Sequence, residues 1–150
     1  MTQTTIRTTF FLFIFCGLLT LSCTTHDPEP IQIGHDTCDH CRMVISDPKF
    51  GGEIIYKTGK VLKFDALTCV AAHQRENKEK IEKIYTHDFN QPGKLVEVNQ
   101  AFFLQSPKIR GPMAVDILGT DSEVNVRELN RKMPGKVLRW DEAVPILTTN

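Results

Sequence analysis

Downstream of Gly34 the chain runs twice through the same order of patterns, and that repetition narrows what it can fold into. The stretch GEIIYKTGKVLKFD places β-forming residues on both sides of a Thr58-Gly59 turn, which predicts a hairpin. Asp65 is placed to cap a helix in which Leu67, Val70 and Ala71 share one face. The charged run HQRENKEKIEK reads as a solvated face, and IEKIYTHDF predicts a strand. Before the hairpin, Met43-Val44-Ile45 is a short apolar run ended by Asp47-Pro48, and Gly51-Gly52 marks a bend. The order then recurs. VNQAFFLQS and MAVDILG predict strands on either side of a turn-rich segment from Ser106 to Pro112. Thr120 and Glu123 have capping-box spacing. Val126, Leu129 and Met133 share a helical face that Pro134-Gly135 stops. KVLRWDE predicts a closing strand with Trp140 in the core, and His87 and Asp88 read as a polar strand end at the surface.

Each half is too short to bury an adequate core alone. The expected fold is therefore α+β: two small ββαβ units, residues 37–90 and 91–150, packed together with a cleft between them. The segment CDHCRM stands at the entrance of the first unit, and Arg110-Gly111-Pro112-Met113 at the turn of the second.

The first 36 residues follow a different pattern. Arg7 precedes a mostly apolar run from Phe10 to Leu21, too short to span a bilayer comfortably but suited to a signal-peptide core. Small Ser22 then precedes Cys23, as in a bacterial lipobox, although Thr20 stands where that pattern wants leucine. This predicts a lipoprotein signal peptide over residues 1–22 and lipidation of Cys23. Cys16 falls inside the signal and has no mature role. Residues 23–36 are polar, carry Pro28 and Pro30, and read as an extended lipidated tether in which His26 is solvated. The expected location is the cell envelope, anchored to a membrane and facing the periplasm. The formal charge is zero, so no basic field invites nucleic acid. A hydrolase triad, a phosphate-binding glycine loop and paired carboxylates are all missing from the sequence pattern, and no enzyme is expected.

With Cys23 assigned to the anchor, Cys38, Cys41 and Cys69 remain, an odd number for intramolecular pairing. Outside the cytosol Cys38 and Cys41 are a CxxC disulfide or metal ligands. A redox CxxC belongs at a helix start after a strand, whereas this one follows a tether. A zinc site needs four donors, which Cys69 with His73, His40 or His35 would have to complete. Methionine shifts the balance. Thioethers are soft and select Cu(I), and in extended chain Cys41 and Met43 point the same way. Met113, after Gly-Pro, is held at a surface by a rigid turn. By the same reasoning Cys69 reads as a small buried residue on its helix, and Met133 as core.

These residues resemble the signature of the NosL family, copper chaperone lipoproteins associated with nitrous oxide reductase assembly. CDHCRMVISDPKFGGEIIYKTGKVLKFDALTCV is similar to that family's Cys-x-x-Cys-Gly-Met, apolar strand, hairpin, Phe-Asp and downstream Cys. IYTHDF, NQAFFLQSPKIRGPMAVDI and KVLRWDEA resemble its later strands and its Pro-Met turn. Arg42 stands where the family has Gly after the second cysteine, and Ala114 where Gly often follows Pro-Met. The resemblance implies a tethered protein that binds Cu(I) outside the cytoplasm and delivers it to a maturing copper enzyme, nitrous oxide reductase being the expected client. Carried over by position, the metal candidates are Cys41, Met43 and Met113, with Cys38 as helper. The competing expectations are an exported zinc- or disulfide-stabilised binding module and a CxxC thiol oxidoreductase.

Overall fold

The computed structural model describes residues 26–149, so the expected signal peptide, Cys16 and Cys23 lie outside the described residues. Two antiparallel sheets organise the chain. In the first, β1 (Gly52–Tyr56), β2 (Val61–Phe64), β3 (Ile81–Asp88) and β4 (Gln91–Glu97) take the order β2-β1-β3-β4. In the second, β5 (Phe102–Gln105), β6 (Ile117–Thr120) and β7 (Lys136–Leu138) take the order β6-β5-β7. Helix α1 (Leu67–Asn77) lies between β2 and β3, α2 (Glu123–Lys132) between β6 and β7, and α3 (Trp140–Thr149) follows β7. The repeated ββαβ order is thus present in both units, with β4 and α3 added to it.

The first hairpin forms as its pattern predicts. Ile54 pairs with Leu62 and Ile55 with Val61, and Gly59 takes the turn at φ 82°. The bend at Gly51-Gly52 has a steric cause. A Cβ on Gly52 would stand 1.9 Å from the Tyr85 carbonyl oxygen, so β1 could not approach β3 with any other residue there.

Four expectations about secondary structure and helix caps need correction. The run Met43–Ile45 is not a strand, since only a single bridge pairs Thr37 with Val44. Asp65 does not cap α1. Its carboxylate accepts the Ser46 N–H at 3.0 Å, and α1 starts after Ala66 with no side-chain cap. The cap of α2 is Ser122, whose Oγ accepts the Asn125 N–H at 3.3 Å, rather than Thr120. The closing strand stops at Leu138, and Trp140 opens a helix. The Glu142 carboxylate accepts the Arg139 N–H at 2.8 Å, which is half of a capping box.

β4 extends the first sheet, so the division between sheets falls after Glu97. The sheets meet where β3 ends. The Phe89 N–H donates to the Gly119 carbonyl at 2.9 Å, and the Thr120 hydroxyl donates to buried Asp88 at 3.3 Å. His87 is also buried, its Nδ1 on the Phe50 carbonyl, and burial holds its pKa below the ordinary value. The polar strand end expected at the surface is thus an internal joint. A second joint comes from α3 packing on α1, where Trp140 Nε1 donates to Gln74 at 2.9 Å. Phe64, Phe103, Leu104, Ile117 and Leu118 are fully buried in one continuous core.

The segment expected to be a tether is held from His26 onward. His26 pairs with Glu82 at 2.9 Å rather than standing solvated. The Glu29 N–H donates to buried Glu53 at 3.0 Å, and Lys63 bonds both the Pro30 carbonyl and Asp36.

Candidate metal site

CDHCRM folds into a tight turn because its backbone closes on itself. The Cys38 N–H donates to the Met43 carbonyl at 2.8 Å, and the Arg42 N–H to the Cys38 carbonyl at 3.0 Å. Closing that turn forces Arg42 into the left-handed region, at φ 64°. This is the position where the resembled family carries glycine, and left-handed backbone is the physical reason glycine suits it. Asp39 docks the turn on β2: its N–H donates to the Lys63 carbonyl at 2.8 Å, and its carboxylate accepts the Lys63 N–H at 2.9 Å. The turn therefore sits beside the start of α1.

There the helix supplies a third thiol. The sulfur atoms of Cys38, Cys41 and Cys69 all lie within 4.8 Å of one another, and all three cysteines are free. They form the one such ligand group found among the described residues. Three sulfurs around a single ion at about 2.3 Å would stand about 4 Å apart, so the cluster is close to ligand geometry. Cys38 and Cys69 are buried and Cys41 is half-buried, so the cluster opens to solvent on the Cys41 side.

The electrostatics favour deprotonation at one sulfur. The Cys69 S–H donates to Cys38, and the backbone N–H groups of Asp65, Cys41 and His40 point at the same atom. Together they hold the Cys38 thiol well below the ordinary cysteine value despite its burial. Cys69, as the donor in that bond and itself desolvated, is pushed well above it. Hydrogen bonds to a thiolate and burial act in opposition here, and at Cys38 the hydrogen bonds win.

The other candidate donors are placed as follows. Met43 is 51% exposed, at the end of the turn that its carbonyl closes. Met113 is 52% exposed on a short 3-10 turn, Pro112–Ala114, where Met113 and Ala114 both have φ 57°. It lines a cleft of about 290 Å³ with Thr68, Val115, Ile146 and Leu147, and Thr68 is the chain neighbour of Cys69. The structure thus brings Cys38 and Cys41 together with Cys69, and sets both methionines at the surface. His73 does not join. Its Nε2 is 2.6 Å from the Tyr56 hydroxyl and its ring stacks on Tyr56, so the three-cysteine, one-histidine zinc set is not assembled. His40 and His35 are exposed. Cys69 is buried as its helix position implied, but that reading missed that its sulfur faces those of Cys38 and Cys41. The usable signal was the odd third cysteine one turn into the helix that follows Phe64-Asp65.

The NosL family model matches residues 30–146. Among curated proteins, the chain is 28% identical over 129 residues to the copper-binding lipoprotein NosL of Stutzerimonas stutzeri. That match covers 76% of this chain and 65% of the relative, so the chain spans just under two thirds of the relative's length. Among solved structures, the fold is similar to the crystal structure of the copper chaperone NosL from Shewanella denitrificans. The TM-score is 0.69 and the identity 22%, covering 79% of this chain and 96% of that one.

Proposed function

The chain belongs to the NosL family, and from that premise we propose that it is a membrane-tethered copper carrier that takes up Cu(I) on its thiol cluster and hands it to an exported copper enzyme. The observation that carries the reading is the meeting of Cys38, Cys41 and Cys69 within 4.8 Å, with no histidine, aspartate or glutamate completing the group among the described residues. Structural zinc asks for a closed set of four ligands. Three soft sulfurs with no imidazole nitrogen or carboxylate oxygen joining them at ligand distance suit a soft monovalent ion. Cys38, whose thiol is held below the ordinary value by its hydrogen bonds, takes the first bond, and Cys69 gives up its proton on binding. Copper here is cargo, and no chemical turnover is required.

Transfer follows from unequal exposure. Cys41 is the reachable sulfur, and Met43 offers an exposed thioether two residues further along the same turn. A donor from the client enters on that side as Cys41 leaves, while Cys38 and Cys69 hold the ion from within. Met113 offers a second exposed thioether on the other unit. The client best matched to the family is nitrous oxide reductase with its assembly machinery. Signal cleavage before Cys23, lipidation of that residue and a periplasmic setting complete the reading, supported by the lipoprotein name of the Stutzerimonas relative.

The test is Cu(I) competition against a chromophoric chelator, with the protein reduced and Zn(II) measured alongside. Cys41→Ser and Cys69→Ser should each weaken Cu(I) binding by at least about tenfold, the loss typical even of outer partners of a metal. Met43→Leu and Met113→Leu should slow transfer to a thiol acceptor more than they lower affinity. Unchanged affinity in both cysteine variants, or tighter Zn(II) than Cu(I), would overturn the proposal.

A further inference from the structure

One end of the first sheet gathers positive charge at the point where the chain arrives. The β1–β2 turn carries Lys57 and Lys60, both exposed. A short 3-10 turn, Lys78–Lys80, lies against it, since the Lys57 N–H donates to the Lys80 carbonyl at 2.9 Å and the Lys57 ammonium to the Glu79 carbonyl at 2.8 Å. Lys78 and Lys80 are exposed as well. Against these four lysines the two turns hold a single acid, Glu79, in a chain whose formal net charge is zero. The neighbouring Glu82 is occupied by His26 at 2.9 Å. His26 itself sits on the turn, with its ring 2.8 Å from where a Cβ on Gly59 would be.

This is where the tether ends. Only Thr24 and Thr25 separate His26 from Cys23, about 10 Å of fully extended chain. Resting on the tether reading above, we infer that the end of the first sheet carrying Lys57, Lys60, Lys78 and Lys80 lies against the bilayer and binds its anionic phospholipid headgroups. A lipid on Cys23 cannot stand further from this face than those two residues allow. Lysines close to an anionic surface are attracted to it within a Debye length, each adding about fivefold to the partition. The thiol cluster lies at the other end of β2, beside Phe64 and Asp65, so this seating turns Cys41 and Met43 away from the lipid.

The lipoprotein purified from membranes tests this. Its amino-terminal mass is read, and it is placed in bilayer discs of phosphatidylcholine alone or with about one third phosphatidylglycerol. Acylation by a water-soluble ester is then followed lysine by lysine. Lys57, Lys60, Lys78 and Lys80 should label about fivefold more slowly in the anionic discs, with Lys108 and Lys132 unchanged between the two. Salt at about 0.5 M should erase the difference. In Lys57→Gln/Lys60→Gln, protection of Lys78 and Lys80 should fall. Equal rates in both discs overturn the inference, including the case in which the face serves an acidic protein instead. An unlipidated Cys23 fails the tether reading alone. Anionic vesicles added to that protein then decide whether the lysine face binds them, and no protection overturns the inference.

Discussion

At the scale of single residues, the site shows a local strain that the sequence announces by departing from its relatives' pattern. Arg42 occupies a left-handed position that costs an ordinary residue about 1–2 kcal/mol. Its one ion pair, with Asp39 at 3.8 Å, is exposed and offsets little. Arg42→Gly should therefore raise stability by up to about 1 kcal/mol, after the larger chain entropy of glycine is subtracted, as read by urea denaturation. Cu(I) affinity should change little, because the Arg42 backbone closes the turn while its side chain points outward. The CxxC spacing marked Cys38 and Cys41 as a pair, either a disulfide or metal ligands, and their sulfurs do lie together. Cys69 was not legible as their partner, because only tertiary packing of α1 against the turn reveals which way that sulfur points. The exposure of Met113 was legible from its Gly-Pro turn, whereas that of Met43 was not, since the same residue type commonly fills cores.

At the scale of elements, β1 carries an unusual acid. Glu53 is fully buried between Lys63 on β2 and Tyr85 on β3, with Oε1 unpartnered and Oε2 accepting only the Glu29 N–H. Burial raises its pKa from 4.5 to about 7, opposed in smaller part by the Glu29 N–H and the Lys63 charge. The folded protein holds this proton more tightly than the unfolded chain. The resulting stabilisation is complete below pH 4.5 and is lost as pH rises to about 7, a swing of about 3 kcal/mol. Glu53→Gln should flatten that part of the stability–pH curve, and at pH 8 it should be more stable than the parent, as measured by urea denaturation across the range. Elements differ in how plainly the sequence states them. The β1–β2 hairpin is readable because β-branched residues flank a glycine turn. β4 is hidden because Pro92 and Gly93 argue against a strand, and an exposed edge tolerates both. α3 is hidden because KVLRW continues an apolar strand pattern up to the residue where Asp141 and Glu142 start a helix.

At the scale of the whole molecule, neither unit has a core of its own. β3 meets β6, and α1 meets α3, so hydrophobic burial is shared across both joints. Gly119 marks a close approach between β3 and β6: a Cβ there would stand 2.6 Å from Thr86 Oγ1. Gly119→Val should cost about 3 kcal/mol by overpacking and should lower the stability of both units together. Trp140 fluorescence and far-ultraviolet circular dichroism should still trace one coincident transition. Two separate transitions would show that the units fold independently, against the shared core.

The thiol cluster draws on two segments that are distant in sequence, a turn ahead of β1 and the first helix behind β2. An ion seated among them acts as a removable rivet across about thirty residues of chain, and its binding energy adds to resistance against unfolding. Without the rivet the protein is in its loosest form, the one that degrading proteases encounter most often. Scarcity of the ion would then thin the population of the folded protein by itself, with no separate sensor needed.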